Sequence, residues 1–144
     1  MADGVRLRVR KKDLLFANLK RTVPEIETAL EQANGQSAHD MVGIARGYVP
    51  VRTGALRDSL RAVAPGDLPP RYSQGGKASG KAIAWLVTVG NSAVRYAHFV
   101  EFGTATGSPA QPYFFPAYRL IKRRHRGRVT RAINKTLKAR GISR

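Results

Sequence analysis

Three histidines, nine carboxylates and no cysteine are the raw material for catalysis in this chain of 144 residues. Without cysteine there can be no disulfide, thiolate metal site or thiol nucleophile. His39, His98 and His125 are spread along the sequence without metal-ligand spacing. His98 stands three residues before Glu101, a separation an acid–base pair could use. Such a pair also needs an orienting group and a pocket, so His98 reads more simply as a histidine on a helix surface. Glu101, alone in a basic neighbourhood, reads as the partner of an arginine, within the subunit or across an interface. Two-metal nuclease chemistry needs clustered carboxylates, whereas only Asp58, Asp67 and Glu101 occur between residues 41 and 144. Glycines 75, 76, 80 and 90 are not followed by the Gly-Lys-Ser/Thr of a phosphate-binding loop. The sequence therefore predicts no catalytic residue, no metal and no cofactor. A metal-dependent nuclease is the enzymatic reading that a cleavage assay would have to dismiss.

The chemistry that does stand out is cationic. Twenty-six Lys and Arg against nine Asp and Glu give a net charge of +17, which favours polyanions and acidic surfaces as partners. From Arg119 to Arg144 there are eleven positive charges and no acidic residue. Solvated helix faces normally mix signs, so this run predicts contact with a polyanion or an acidic partner. The contact candidates are Arg119, Lys122, Arg123, Arg124, Arg126, Arg128 and Arg131. The aromatic spacing of base-stacking modules is missing, so double-stranded DNA would be held by its phosphates, independently of sequence.

These side chains need elements to position them. Residues 5 to 10 (VRLRVR) alternate apolar and basic side chains and predict an edge strand. Residues 13 to 21 predict a short helix behind an Asp13 cap. Thr22 and Glu25 have capping-box spacing and Pro24 falls in a first turn. A long helix is then expected to Tyr48, with Ile26, Leu30, Ala33, Ser37, Met41, Ile44 and Tyr48 along one side and Gly35 weakening it. Thr53 can cap a short helix that turns Ala55, Leu56 and Leu60 inward. Residues 61 to 64 open a strand, and Ile83 to Gly90 form a second. Between them residues 65 to 81, with three prolines and four glycines, predict a flexible loop. A short helix follows, stopped by Gly103 and anchored by Tyr96, Phe99, Val100 and Phe102. Pro116 opens a final helix with Ile121, His125, Val129, Ala132, Ile133, Thr136 and Leu137 on its apolar side and a bend or frayed end from Gly127. Core is expected to claim about half of the cluster Tyr96, Phe99, Phe102, Tyr113, Phe114 and Phe115. The fold class is α+β in a single domain over 1–144: a long N-terminal helix and a basic C-terminal helix (126–144) on a small antiparallel sheet. No run approaches the roughly 18 apolar residues of a membrane span, and no apolar signal core follows the basic N-terminus. The sequence is read as soluble and intracellular, with no membrane partner.

Three stretches in order carry a family likeness: VPVRTGALRDSL (49–60), YAHFVEFGT (96–104) and QPYFFPAY (111–118). Together they resemble the neck and tail-component family of long-tailed phages typified by gene product ten of the Hong Kong 97 phage. A more distant likeness is to the minor tail protein Z of lambda. The resemblance spans about residues 5 to 125. This chain departs from it at Arg52, where the family often has Asp, and in the strength of its basic tail after Lys122. The resemblance implies a structural protein of the virion neck or tail, assembled in the host cytoplasm. It implies a homo-oligomeric ring, a hexamer, that joins head connector or stopper to tail terminator or tail tube and surrounds the DNA channel. Assembly contacts are expected at Val51, Arg52, Thr53, Gly54, Leu56, Tyr96, Phe99, Glu101, Phe102 and Phe114. The competing reading is a sequence-independent nucleic-acid-binding protein outside any ring.

Overall fold

The structure, a computed structural model, describes residues 2–76 and 83–142, with side chains at residues 17, 18 and 20 and, outside 77–82, from 21 to 142. Its first element is one helix, α1, from Ala2 to Tyr48. The edge strand expected at 5–10 is thus helical backbone, and the short helix at 13–21 is continuous with the long one. The reason is local. No glycine or proline lies between residues 5 and 23 to stop a helix, and once a nucleus exists each Leu, Arg or Lys extends it at little cost. The capping box accordingly does not form. Buried Thr22 donates its hydroxyl back to the Asn18 carbonyl at 2.6 Å, and Pro24 lies inside the helix.

After α1 come α2 (Ala55–Asp58), β1 (Arg61–Val63), β2 (Leu86–Thr88), α3 (Ala97–Phe102) and α4 (Phe114–Ala139). The α+β class is as expected. β1 and β2 pair antiparallel in the register Arg61↔Thr88, Ala62↔Val87, Val63↔Leu86. The intervening segment is tied back to this ladder, because Gln74 and Val89 exchange backbone hydrogen bonds of 2.8 Å in both directions. The part of the expected flexible loop from 77 to 81 lies outside the described residues. α4 runs antiparallel along α1, with Ile121 against the Met41–Val49 turns and Arg140 paired with Glu25 at the far end. It continues as helix through Gly127, so the expected fraying does not begin there.

The core sits at the C-terminal end of α1. Met41, Val42, Ala45 and Val49 meet Leu56 and Leu60, then Val89, Val94 and Ala97, and finally Tyr113, Ala117 and Ile121. The predicted stripe on α1 is close to the buried one, but Tyr48 is exposed and Ala45 and Val49 take its place. Leu56 on α2 and Leu60 just beyond it point inward as expected, whereas Ala55 is exposed. The helix is entered through Gly54, at φ 80, rather than through Thr53. The Thr53 hydroxyl reaches the Ala55 N–H only at 3.4 Å.

Gly35 is more than a weak point in α1. A Cβ there would lie 2.8 Å from Cε2 and Cζ2 of Trp85, so the missing side chain is what lets the indole lie against the helix. Gly35→Ala should gain up to ~1 kcal/mol of helix propensity but displace a rigid ring, for a net loss of about 1–2 kcal/mol. Trp85 is the only tryptophan, so its fluorescence should shift as the melting temperature drops. A more stable variant with an unchanged spectrum would show that the contact is slack.

Candidate interaction surfaces

The first surface is organised by a carboxylate. α3 has only six residues, which leaves few inward positions, and it spends them on Ala97 and Glu101. Gly103, at φ 78, ends it. Glu101 is 6% exposed and pairs with no arginine among the described residues. Its Oε2 accepts the N–H groups of Tyr113 and Phe114 at 2.8 and 2.9 Å, and its Oε1 that of Phe115 at 3.1 Å. Those are donors that the first turn of α4 cannot satisfy internally, and the positive end of that helix favours an anion. Tyr113 itself is 1% exposed, with its hydroxyl donating to the Ala97 carbonyl at 3.1 Å. Burial, then the charges of Glu101 and Tyr96, push its pKa well up, so the hydroxyl stays protonated.

Because small Ala97 and the carboxylate occupy the inner side of α3, the large aromatics cannot. Tyr96, Phe99 and Phe102, expected as anchors, are 42%, 49% and 67% exposed. Phe102 meets Phe115 with ring centroids 5.8 Å apart, and Phe114 is half-buried. Of the aromatic cluster, only Tyr113 is fully core.

Between α3 and the Pro50–Leu56 turn lies an open groove of about 700 Å³. Val51, Arg52, Thr53, Gly54 and Leu56 line one wall, and Tyr96, Phe99 and Val100 line the other. The three sequence stretches that carry the family likeness therefore meet in space, the third through Gln111. Seven of the ten expected assembly residues border this groove. Leu56 is largely core, and Glu101, Phe102 and Phe114 lie on the opposite flank of α3, around a smaller cavity.

The second surface is α4. Arg119, Lys122, Arg123, Arg124, Arg126 and Arg131 are all exposed. Arg128 is not part of that face. Its guanidinium, with a side chain 19% exposed, donates to Asp40 at 2.6 Å and to the Ser37 hydroxyl at 2.7 Å. The Ser37 hydroxyl donates to the Ala33 carbonyl at 2.9 Å and lies 3.0 Å from His125 Nδ1. With its proton on that carbonyl, the pairing suits the Nδ1–H tautomer of a neutral imidazole. Burial, and then the Arg128 charge, hold the His125 pKa below its usual value. The sequence placed His125 on the apolar side and missed its partners. Their signal was the matching i, i+3 spacing of Ser37 with Asp40 and of His125 with Arg128 on facing helices.

The possible acid–base pair does not form, since His98 bonds Gln74 at 3.0 Å while Glu101 is engaged with α4. Among the described residues no group of three or more His, Asp or Glu is placed to hold a metal. No helix among them is long and apolar enough to cross a membrane.

A family model described as HK97-gp10-like, "Bacteriophage HK97-gp10, putative tail-component", matches residues 8–103. The match takes in the groove's first wall and α3 and stops before α4. No curated protein and no solved structure matches the chain.

Proposed function

Since this chain belongs to the HK97-gp10-like family of bacteriophage tail components, we propose that it is a ring subunit at the junction of head and tail. A phage tail structural protein works through its contacts with other particle proteins. The observation that carries the ring reading is the uncovered groove, with Val51, Tyr96 and Phe99 exposed along it. An apolar, aromatic-walled surface of this kind marks a protein interface. In the ring, six copies surround the DNA channel between the head connector or stopper and the tail terminator or tail tube.

The cationic face of α4 fits either the genome in that channel or an acidic neighbour. It also favours the second reading, a DNA-binding protein that acts by phosphate contacts alone. A reconstruction of the assembled particle tests the first. The expected density is a closed ring of this subunit between head and tail. Single copies, or a position at the distal tail tip, would sink it. Ring formation by the chain without nucleic acid separates it from the second reading, which has no need of a ring.

A further inference from the structure

The groove has a matching shape elsewhere on the same chain. Leu68 is 88% exposed, the highest value among the large apolar side chains of the described residues. It follows the turn after β1 in which the Asp67 N–H donates to the Ala64 carbonyl at 3.1 Å. Pro69 and Pro70 follow it, and such a segment is stiff, extended and cheap to order on a partner. Proline-rich segments dock in aromatic-lined grooves for that reason.

Charge selects the same pairing. Arg52 is the one charged residue lining the groove, and Asp67 is the only acidic residue between 59 and 100. Among the described residues neither takes part in an ion pair. In a chain of net charge +17, most contacts between copies repel. A self-contact must therefore join a scarce carboxylate to a cation away from α4, and this pair does so.

Within one chain the two features belong to different surfaces, since no residue from 67 to 70 lines the groove. Residues 50–56 enter β1, and residues 96–100 leave β2, at the Arg61/Thr88 end of the ladder. That end is closed by the Gly90 N–H donating to the Ser59 hydroxyl at 3.0 Å. Asp67 lies beside Val63, Ala84 and Leu86 at the other end. A projection at one end and a groove at the other make a heterologous contact, which repeats from copy to copy until it closes. We propose that the Asp67–Pro70 segment of one copy occupies the groove of the next, with Leu68 against Val51 and Phe99 and Asp67 paired with Arg52. This rests on the ring reading above and names the contact that builds the ring.

The absence of cysteine from the chain makes the test clean. Tails are assembled with a chain carrying both Leu68→Cys and Val51→Cys, oxidised mildly and run on a non-reducing gel. A ladder of covalent multimers up to the full ring is expected. The two single variants mixed should give only a cross-linked dimer, and either alone should stay monomeric. In the doubly substituted chain, Asp67→Arg or Arg52→Asp alone should lower cross-linking at least tenfold, and the two together should restore it. A ring by native mass spectrometry or reconstruction that never cross-links overturns this contact and leaves the ring reading standing. So does a dimer from Leu68→Cys alone, or a cross-link to a different tail protein. The absence of any ring from the unsubstituted chain overturns both.

Discussion

A Glu101→Ala variant is expected to unfold on the order of 10 °C below the parent protein. The substitution removes the acceptor of three backbone N–H groups at the start of α4. Each unsatisfied buried donor costs about 1–3 kcal/mol, and partial access of water to the first turn brings the sum to about 3–4 kcal/mol. Glu101→Gln should fall between, since it keeps the shape and one carbonyl oxygen while losing the charge that the helix terminus favours. Thermal unfolding followed by circular dichroism checks both. An alanine variant melting within ~2 °C of the parent would mean that the carboxylate holds nothing. A glutamine variant as unstable as alanine would place the whole effect in the charge.

The second large effect concerns binding. Replacing Arg119, Arg123, Arg124 and Arg126 together with Gln should make the salt dependence of duplex DNA binding shallower by about three to four in log–log slope. Each phosphate neutralised contributes roughly 0.9 to that slope. The gain in affinity on lowering salt from ~200 to ~50 mM should therefore shrink by about a hundredfold. All four side chains are exposed, so the melting temperature should not fall. Arg128 is left out, because replacing it would strip Asp40 and Ser37 of their partner and confuse a fold effect with a binding effect. The measurement is binding of unrelated DNA sequences across a salt series. An unchanged slope would place the contact elsewhere, and preference for one sequence would defeat the phosphate reading.

Much of the fold was legible because its signals are periodic or end in a residue with one use. The apolar side of α4 from Ile121 to Leu137 is the half-buried side in the structure, and Gly103 stops α3 as its position implies. The N-terminal segment was misread because six alternating residues also place Val5 with Val9, and Arg6 with Arg10, at helical i, i+4 spacing. Alternation over so short a span does not decide between strand and helix. What settles it is the lack of any stop signal before Pro24, and even that proline is absorbed.

The candidate site was legible in parts. The stretches that form the groove could be picked out, but their meeting depends on β1 and β2 bringing residues 50–56 and 96–100 to one end of a ladder. Glu101 was singled out and given the wrong partner. A lone carboxylate among arginines looks like half of an ion pair, and nothing local shows that three backbone amides twelve to fourteen residues away will compete for it. Gly35 was read through its propensity alone, since a ring packed from fifty residues away leaves no mark beside it in the sequence.

The one-sign surface of α4 has an effect on the helix itself. Arg119 with Arg123, Lys122 with Arg126, Arg124 with Arg128 and Arg131 with Lys135 stand at i, i+4, and each such like-charge pair opposes the helix by about 0.2–0.5 kcal/mol. Alone in solution the segment would be a poor helix, so it owes its shape to α1 and to Glu101 at its first turn. The strain is electrostatic and therefore releasable: counterions, a phosphate backbone or an acidic neighbour all quieten it. α4 thus behaves as a loaded spring whose latch is the interior of the subunit. Docking against negative charge would let it relax without moving, so a subunit held against such a partner should be more durable than a free one.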